Sequence, residues 1–335
     1  MLAVLPTLVS LLLMSLVHEN PSNTTNDKRH LNKFSLIALV IAAYLTIILI
    51  SENFFVFPPW AHFFTTIILL ILISSPLHIA LKAQKSESST SLTMTPFIFA
   101  LEAQEGPPVP VIETNLAQAM STVNFWLLFL AMVCAMGSGL ATINNITQIG
   151  ESLHYSTVEI NSMLSLWSIW NFLGRFCGGY VSDLFLHKYG WGRPLFISLT
   201  LAAMVVGHLV IGLDVSLLFG TFVVGVCYGS QWSLMPTITS EIFGVKHMGT
   251  IFNTIAAANP VGSYILSVLV IGRFYDMEAG GGGKCEGINC FMHSFFVFGG
   301  VCGFGFFVSL VLFFRTKGFY ALVLERRSDR VEVEG

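Results

Sequence analysis

The chain has 335 residues, of which 54% are hydrophobic and 10% charged, with a net charge of −3 and a mean hydropathy of +0.74. A soluble domain carries about 25% charged residues, so this chain cannot cover a water-facing surface and is expected to be an all-α polytopic membrane protein. Its weak charge, with no basic cluster, excludes nucleic acid as a partner. Its continuous apolar runs exclude a barrel, which would need alternating strands of about ten residues.

A spanning helix needs roughly 20 apolar residues. About nine runs approach that length on a hydropathy scan. In chain order they are Leu2–Val17, Phe34–Ile50, Phe63–Ala80, Phe125–Ile143, Ile160–Tyr180, Leu195–Leu213, Leu217–Ile238, Gly249–Ile271 and Ser294–Phe314. The first run has the length of a signal peptide but no basic n-region and no clear small-residue cleavage site. It is expected to be a span whose upstream partners are missing.

If the runs alternate sides, one set of loops and the tail hold Lys28, Arg29, Lys33, Lys82, Lys85, Lys188, Arg193, Lys246, Arg315, Lys317, Arg326, Arg327 and Arg330. The other set holds Arg273 and Lys284. Basic residues concentrate in cytoplasmic loops, which predicts an integral multi-pass protein with a cytosolic C-terminus.

Four regions follow. Residues 1–81 form a partial N-terminal region of about three spans. Residues 82–123, with KSESSTS and EGPPVPVIE, are too polar to bury a core and are expected to be a flexible cytosolic linker. Ser86, Ser88, Ser89 and Thr90 there are phosphorylatable, although a plain linker is the simpler account. Residues 124–315 form a six-helix C-terminal bundle, and 316–335 a cytosolic tail.

Of six cysteines, Cys134, Cys177, Cys227 and Cys302 lie in runs and are read as small packing residues. Cys285 and Cys290 share an outward loop and can pair if that side is oxidising. They lack the second pair a zinc site needs, and no metal or cofactor is expected. Glycine pairs four apart, among them Gly174/Gly178, Gly225/Gly229 and Gly299/Gly303, let helices approach closely in lipid.

Polar groups at membrane depth are the candidates for function. Tyr228, Gln231, Ser233 and Thr237 share a run with Pro236, Asn253 and Asn259 share another with Pro260, and Asn144, Asn145, Thr147 and Gln148 end the first run of the bundle. Such groups either glue helices together or line a cavity, and both readings stand. His208 could titrate near neutral pH, but a neutral, hydrogen-bonded ring is the commoner case. Glu241 and Asp276 lie near span ends and are read as interfacial charges. Asn23 and Asn145 open glycosylation sequons, and neither is expected to be modified.

The stretch Asn171–Asp183, NFLGRFCGGYVSD, raises the sharpest question. Arg175 lies about 12 Å along a helix from Asp183, well inside the hydrocarbon. An arginine there costs at least about 2.5 kcal/mol and faces the bundle interior with a partner or a pathway. It serves structure, or it is a fixed charge that draws an anion into a bidentate fork. Beyond it Gly178, Gly179, Asp183, His187, Lys188, Gly190 and Arg193 cross between spans. Asp183 can pair with Arg193, a charge contact suited to a gate latch that forms in one state and breaks in another.

The loop GRFCGGYVSDLFLHKYGWGRP resembles the signature loop of the major facilitator superfamily. The segments NFWLLFLAM, INNITQIGESL, SLWSIWNFLGRF, VCYGSQWSLMPTITSEIFG and HMGTIFNT resemble the plant nodulin-like transporters, the group that includes the nuclear-fusion-defective proteins. The resemblance runs from LPTLVSLLLM onward and implies two six-helix bundles with extra helices near the linker. About the first five spans of that pattern are absent. The family is similar to the monocarboxylate transporters, whose substrate-binding arginine, with a glycine four residues on and a polar residue eight on, matches Arg175, Gly179 and Asp183.

The resemblance implies a transporter that moves a small solute, an organic anion, by alternating access. Its expected binding residues are Arg175, Asn171, Gln231, Tyr228, Asn253 and Asn259, with Gly179, Asp183 and Arg193 in gating. The alternative is a truncated, non-transporting membrane protein that associates with a full-length relative and modulates it. A membrane enzyme has no HExxH, GxSxG or Walker motif to rest on, so no catalytic residue is named.

Overall fold

The structure is a computed structural model. It describes residues 114–280 and 284–334, with side chains to 321, and positions between 36 and 71, which are helical. The run Leu2–Val17, the sequon at Asn23 and most of the linker, with Ser86, Ser88, Ser89 and Thr90, lie outside the described residues. The chain divides into two compact units, residues 1–41 with 58–104, and residues 42–57 with 105–335. The second carries every candidate residue.

Its helices are α1 (Leu116–Met120), α2 (Val123–Asn144), α3 (Ile146–Ser152), α4 (Thr157–Tyr189), α5 (Pro194–Gly212), α6 (Leu217–Phe243), α7 (Met248–Ala256), α8 (Ala258–Tyr264), a π-helical stretch (Ile265–Gly272), α9 (Arg273–Glu278) and α10 (Asn289–Glu334). Local chemistry sets their ends. Thr122 and Ser216 accept from the backbone of Phe125 and Phe219, and Ser156 with Glu159 forms a capping box at α4. Gly190, with φ of +72°, ends α4 in the left-handed conformation that glycine tolerates. Pro194 opens α5, where its missing N–H costs nothing. The region read as linker ends in the capped helix α1, and α10 continues helical through the region read as tail.

Among the described residues, five helical segments are long and apolar enough to cross a membrane: α2, α5, α6, the rod from Met248 to Glu278, and α10 up to Ala321. The sequence reading also made Ile160–Tyr180 a span. It forms the middle of the 33-residue α4, but α4 does not meet that apolarity, because Asn161, Ser162, Ser165, Ser168, Asn171 and Arg175 interrupt it.

Around the bundle α4 packs on α6, α6 on α5, α5 on α10, α10 on α2, and α2 on α8. A core toward the start of α2 gathers Phe125, Met132, Trp167, Tyr228 and Met235; another, toward its end, gathers Ile149, Met163, Ile271, Phe291 and Phe295. Bare backbones bring the helices together. A Cβ on Gly174 would lie 2.1 Å from the Val226 carbonyl oxygen, and one on Gly229 2.0 Å from that of Asn171. Gly137 and Gly262 meet in the same way between α2 and α8. Gly303 has nothing within 4 Å, and the close contact of α10 is made by Gly305 against Cys134. Cys134, Cys227 and Cys302 are buried, whereas Cys177 is exposed and packs no core.

Candidate functional site

The register of α4 on α6 places Arg175. With Gly174 and Gly178 seated on Val226 and Ser230, the next position turns to the exposed side of the unit rather than into its interior. Arg175 Nε donates to Asn171 Oδ1 one turn back, at 3.1 Å. The guanidinium carbon stands 5.3 Å from the centroid of the Trp232 ring, a cation–π contact from α6. No carboxylate among the described residues pairs with it. Asn161, Ser165, Ser168 and Asn171 precede it on α4 at helical spacing, exposed or half-buried, so one polar stripe ends at a lone cation.

Arg193, just before α5, is the opposite case. It is 8% exposed. Its Nη2 donates to Asp183 Oδ1 at 2.8 Å, its Nε to Glu241 Oε1 at 2.7 Å, and its Nη1 to Ser182 Oγ at 3.0 Å. The Tyr320 hydroxyl of α10 donates to the other Glu241 oxygen at 2.8 Å. One guanidinium thus ties the last turns of α4 and α6 to the start of α5, and Glu241 extends the cluster to α10 through Tyr320. Asp183 and Arg193 are the pair expected from the sequence; Glu241, expected only as an interfacial charge, joins them, and Tyr320 is a partner the sequence did not point to. Glu241 is no mere interfacial charge, and its place at the end of α6, level with the basic loop, was the available signal.

The remaining candidates separate. Tyr228 and Asn259 meet in the interior, where Asn259 Nδ2 donates to the Tyr228 hydroxyl at 3.2 Å. Gln231 is fully buried between α5 and α6, donating to Thr200 Oγ1 and Met204 Sδ, with its Oε1 unpartnered among the described residues. Asn253 is exposed on α7. A Cβ on Gly179 would lie 3.9 Å from the Ser233 side chain of α6, an ordinary contact distance. Thus Arg175 and Asn171 come together, Tyr228 and Asn259 come together, and Gln231 and Asn253 stand apart.

Other amides bind helix to helix. Asn144 Nδ2 donates to Ser263 Oγ, and Asn145 Nδ2 to the Ala141 carbonyl and Ser267 Oγ. The Asn145 amide a glycan would need is therefore engaged. His208 departs from expectation: it is fully buried, packed between Phe295 and Phe298, and neither ring nitrogen has a hydrogen-bond partner among the described residues. The aromatic side chains of α10 fill the space where a polar partner would stand.

Among the described residues, an all-helical bundle with apolar, membrane-length helices defines a multi-pass α-helical membrane protein. Residues 110–322 match the family model for the NFD4 C-terminal domain, and the chain belongs to that family; residues 1–81 match the nodulin-like model. It is 26% identical over 254 residues to Protein NUCLEAR FUSION DEFECTIVE 4 of Arabidopsis thaliana, covering 72% of this chain and 42% of the relative. It is also 26% identical over 204 residues to Probable transporter MCH1 of Yarrowia lipolytica, covering 56% and 41%. The same identity over 241 residues relates it to Probable transporter mch1 of Emericella nidulans, covering 59% and 38%. The chain spans about two-fifths of the length of these relatives. No solved structure matches it.

Proposed function

We propose that the chain takes part in moving a small organic anion across a membrane by alternating access, with Arg175 as the charge that receives it. One observation carries this: Arg175 has no acidic partner among the described residues, while Arg193 has two. A cation kept at membrane depth without a counter-ion is costly, and an arriving carboxylate repays that cost. Asn171 and Trp232 hold the guanidinium by its Nε and one face, leaving its terminal nitrogens to face an anion. The fungal relatives named as probable transporters support the class of function.

In this reading Gly179, Asp183 and Arg193 belong to the gate, with Glu241 and Tyr320 completing the latch. Gln231, Tyr228, Asn253 and Asn259 line the route once the helices have moved. The concentration of Lys188, Arg193, Lys246, Arg315 and Lys317 on one side, against Arg273 and Lys284 on the other, supports a cytosolic C-terminus.

A second reading rests on the exposed polar stripe of α4: the chain associates with a full-length homologue and modulates it. Reconstitution in vesicles, with and without such a homologue, separates the two. Uptake of labelled small carboxylates by the chain alone, lost in Arg175→Gln, supports the first. Uptake unchanged by that substitution overturns the role of Arg175, and flux only with the homologue present supports the second.

A further inference from the structure

Opposite the Arg193 cluster, the turn between α9 and α10 is seated on the turn between α3 and α4. Its chain is closed on itself by a Cys285–Cys290 disulfide. Within that ring Gly287 takes φ of +92°, a conformation L side chains rarely adopt. Its N–H donates to the Ser152 carbonyl at 2.8 Å. Ser152 is the last residue of α3, and its carbonyl is one of those a helix end leaves without an intrahelical partner. The ring therefore caps a helix from another part of the chain.

Further contacts hold the same joint. The Cys285 N–H donates to the Tyr275 hydroxyl at 3.1 Å. Tyr275 packs against Phe291, 5.5 Å between centroids, in the core that also holds Ile146, Ile149, Ile271 and both half-cystines. Lys284 lies 3.7 Å from Glu151 at the exposed rim. The joint thus links the entry of α4, the helix that carries Arg175, to the rod and α10.

We infer that this ring is a thiol-controlled clasp. With the bridge formed, Gly287 is held over Ser152 and the α3–α4 turn is fastened to the α9–α10 turn. A dithiol reductant breaks the S–S bond: two electrons and two protons pass from the dithiol, which closes to its own cyclic disulfide, and Cys285 and Cys290 become two thiols. The chain from 285 to 290 then regains the conformations the ring denied it, Gly287 leaves Ser152, and the two turns separate. The clasp is closed wherever this end of the bundle faces an oxidising compartment. It does not depend on the identity of the solute or on the role of Arg175.

Amide hydrogen exchange on the full chain in lipid nanodiscs, before and after treatment with dithiothreitol, tests this. Opening of the clasp is expected to speed exchange across 284–291 and 150–156 about tenfold, while the paired helices α4 and α6 stay protected. The variant Cys285→Ser/Cys290→Ser should match the reduced protein without reductant. Gly287→Ala, which keeps the bridge but opposes the positive φ, should exchange fast across 150–156 while 285 and 290 remain linked. Equal exchange in the oxidised and reduced protein overturns the clasp, as does reduction that loosens α4 and α6 equally. So does mass analysis of the protein from its native membrane that finds both thiols free. Slow exchange across 150–156 in Gly287→Ala would remove the Gly287–Ser152 bond as the joint.

Discussion

Arg193 Nε lies 2.7 Å from Glu241 Oε1, although 48 residues separate the two in the chain. The arginine side chain is 10% exposed and the glutamate 25%, so the pair stands where removing one partner strands the other. Glu241→Gln or Arg193→Met should cost about 3 kcal/mol, the lower end for a broken buried pair. Thermal unfolding of the two single variants and the double variant measures it. The double variant should lose less than the sum, because neither charge is then left alone. Additive losses would show that the two do not interact.

Asp183 binds the same guanidinium but is 55% exposed. Its replacement by Asn should cost under about 1 kcal/mol, in keeping with a solvent-screened pair. If Asp183 belongs to a gate, Asp183→Asn should nevertheless change how readily the polar stripe is labelled, read with a thiol reagent on Ser168→Cys. Unaltered labelling would remove it from the gate.

Stability and binding should part company at Arg175. Among the described residues its one hydrogen bond goes to a neutral amide on its own helix, so Arg175→Gln should shift the unfolding temperature little, by the equivalent of less than about 1 kcal/mol. Binding of small carboxylates, followed by the heat of titration, should disappear. A large loss of stability with binding intact would mark the residue as structural.

Glycine contacts supply a sharper packing test. Gly229→Ala puts a methyl into the Asn171 backbone, and Gly174→Ala one into Val226. Each should destabilise by about 1–3 kcal/mol, the usual cost of overpacking. Gly300→Ala, with nothing within 4 Å, should be neutral or slightly stabilising. Similar unfolding temperatures for all three would contradict the close approach of α4 and α6.

Orientation has its own check. A membrane-impermeant phosphine added to sealed, right-side-out vesicles should open Cys285–Cys290 to an impermeant maleimide, while a Lys317→Cys reporter should stay unlabelled until the membrane is broken. The reverse pattern would place the C-terminus outside.

The class of protein and most helices of the bundle are legible in the amino-acid order alone. Hydropathy over a helix-length window, proline and serine at helix starts and glycine at their ends act within a few residues, so they are legible locally. Even the two arginines could be singled out, since charge in an apolar run is visible without a structure. Which of them would be paired was not visible. That was decided by the register of α4 on α6, set by Gly174 and Gly229 against opposing backbone. Shifting that contact by one residue would turn Arg175 away from Trp232 and move Asp183 off Arg193. Likewise only packing left His208 without a partner, because the rings of Phe295 and Phe298 arrive from a helix some ninety residues downstream. Helix formation is a local balance of propensity, capping and burial, whereas partner choice depends on where distant side chains come to rest. Only the folded bundle decides that.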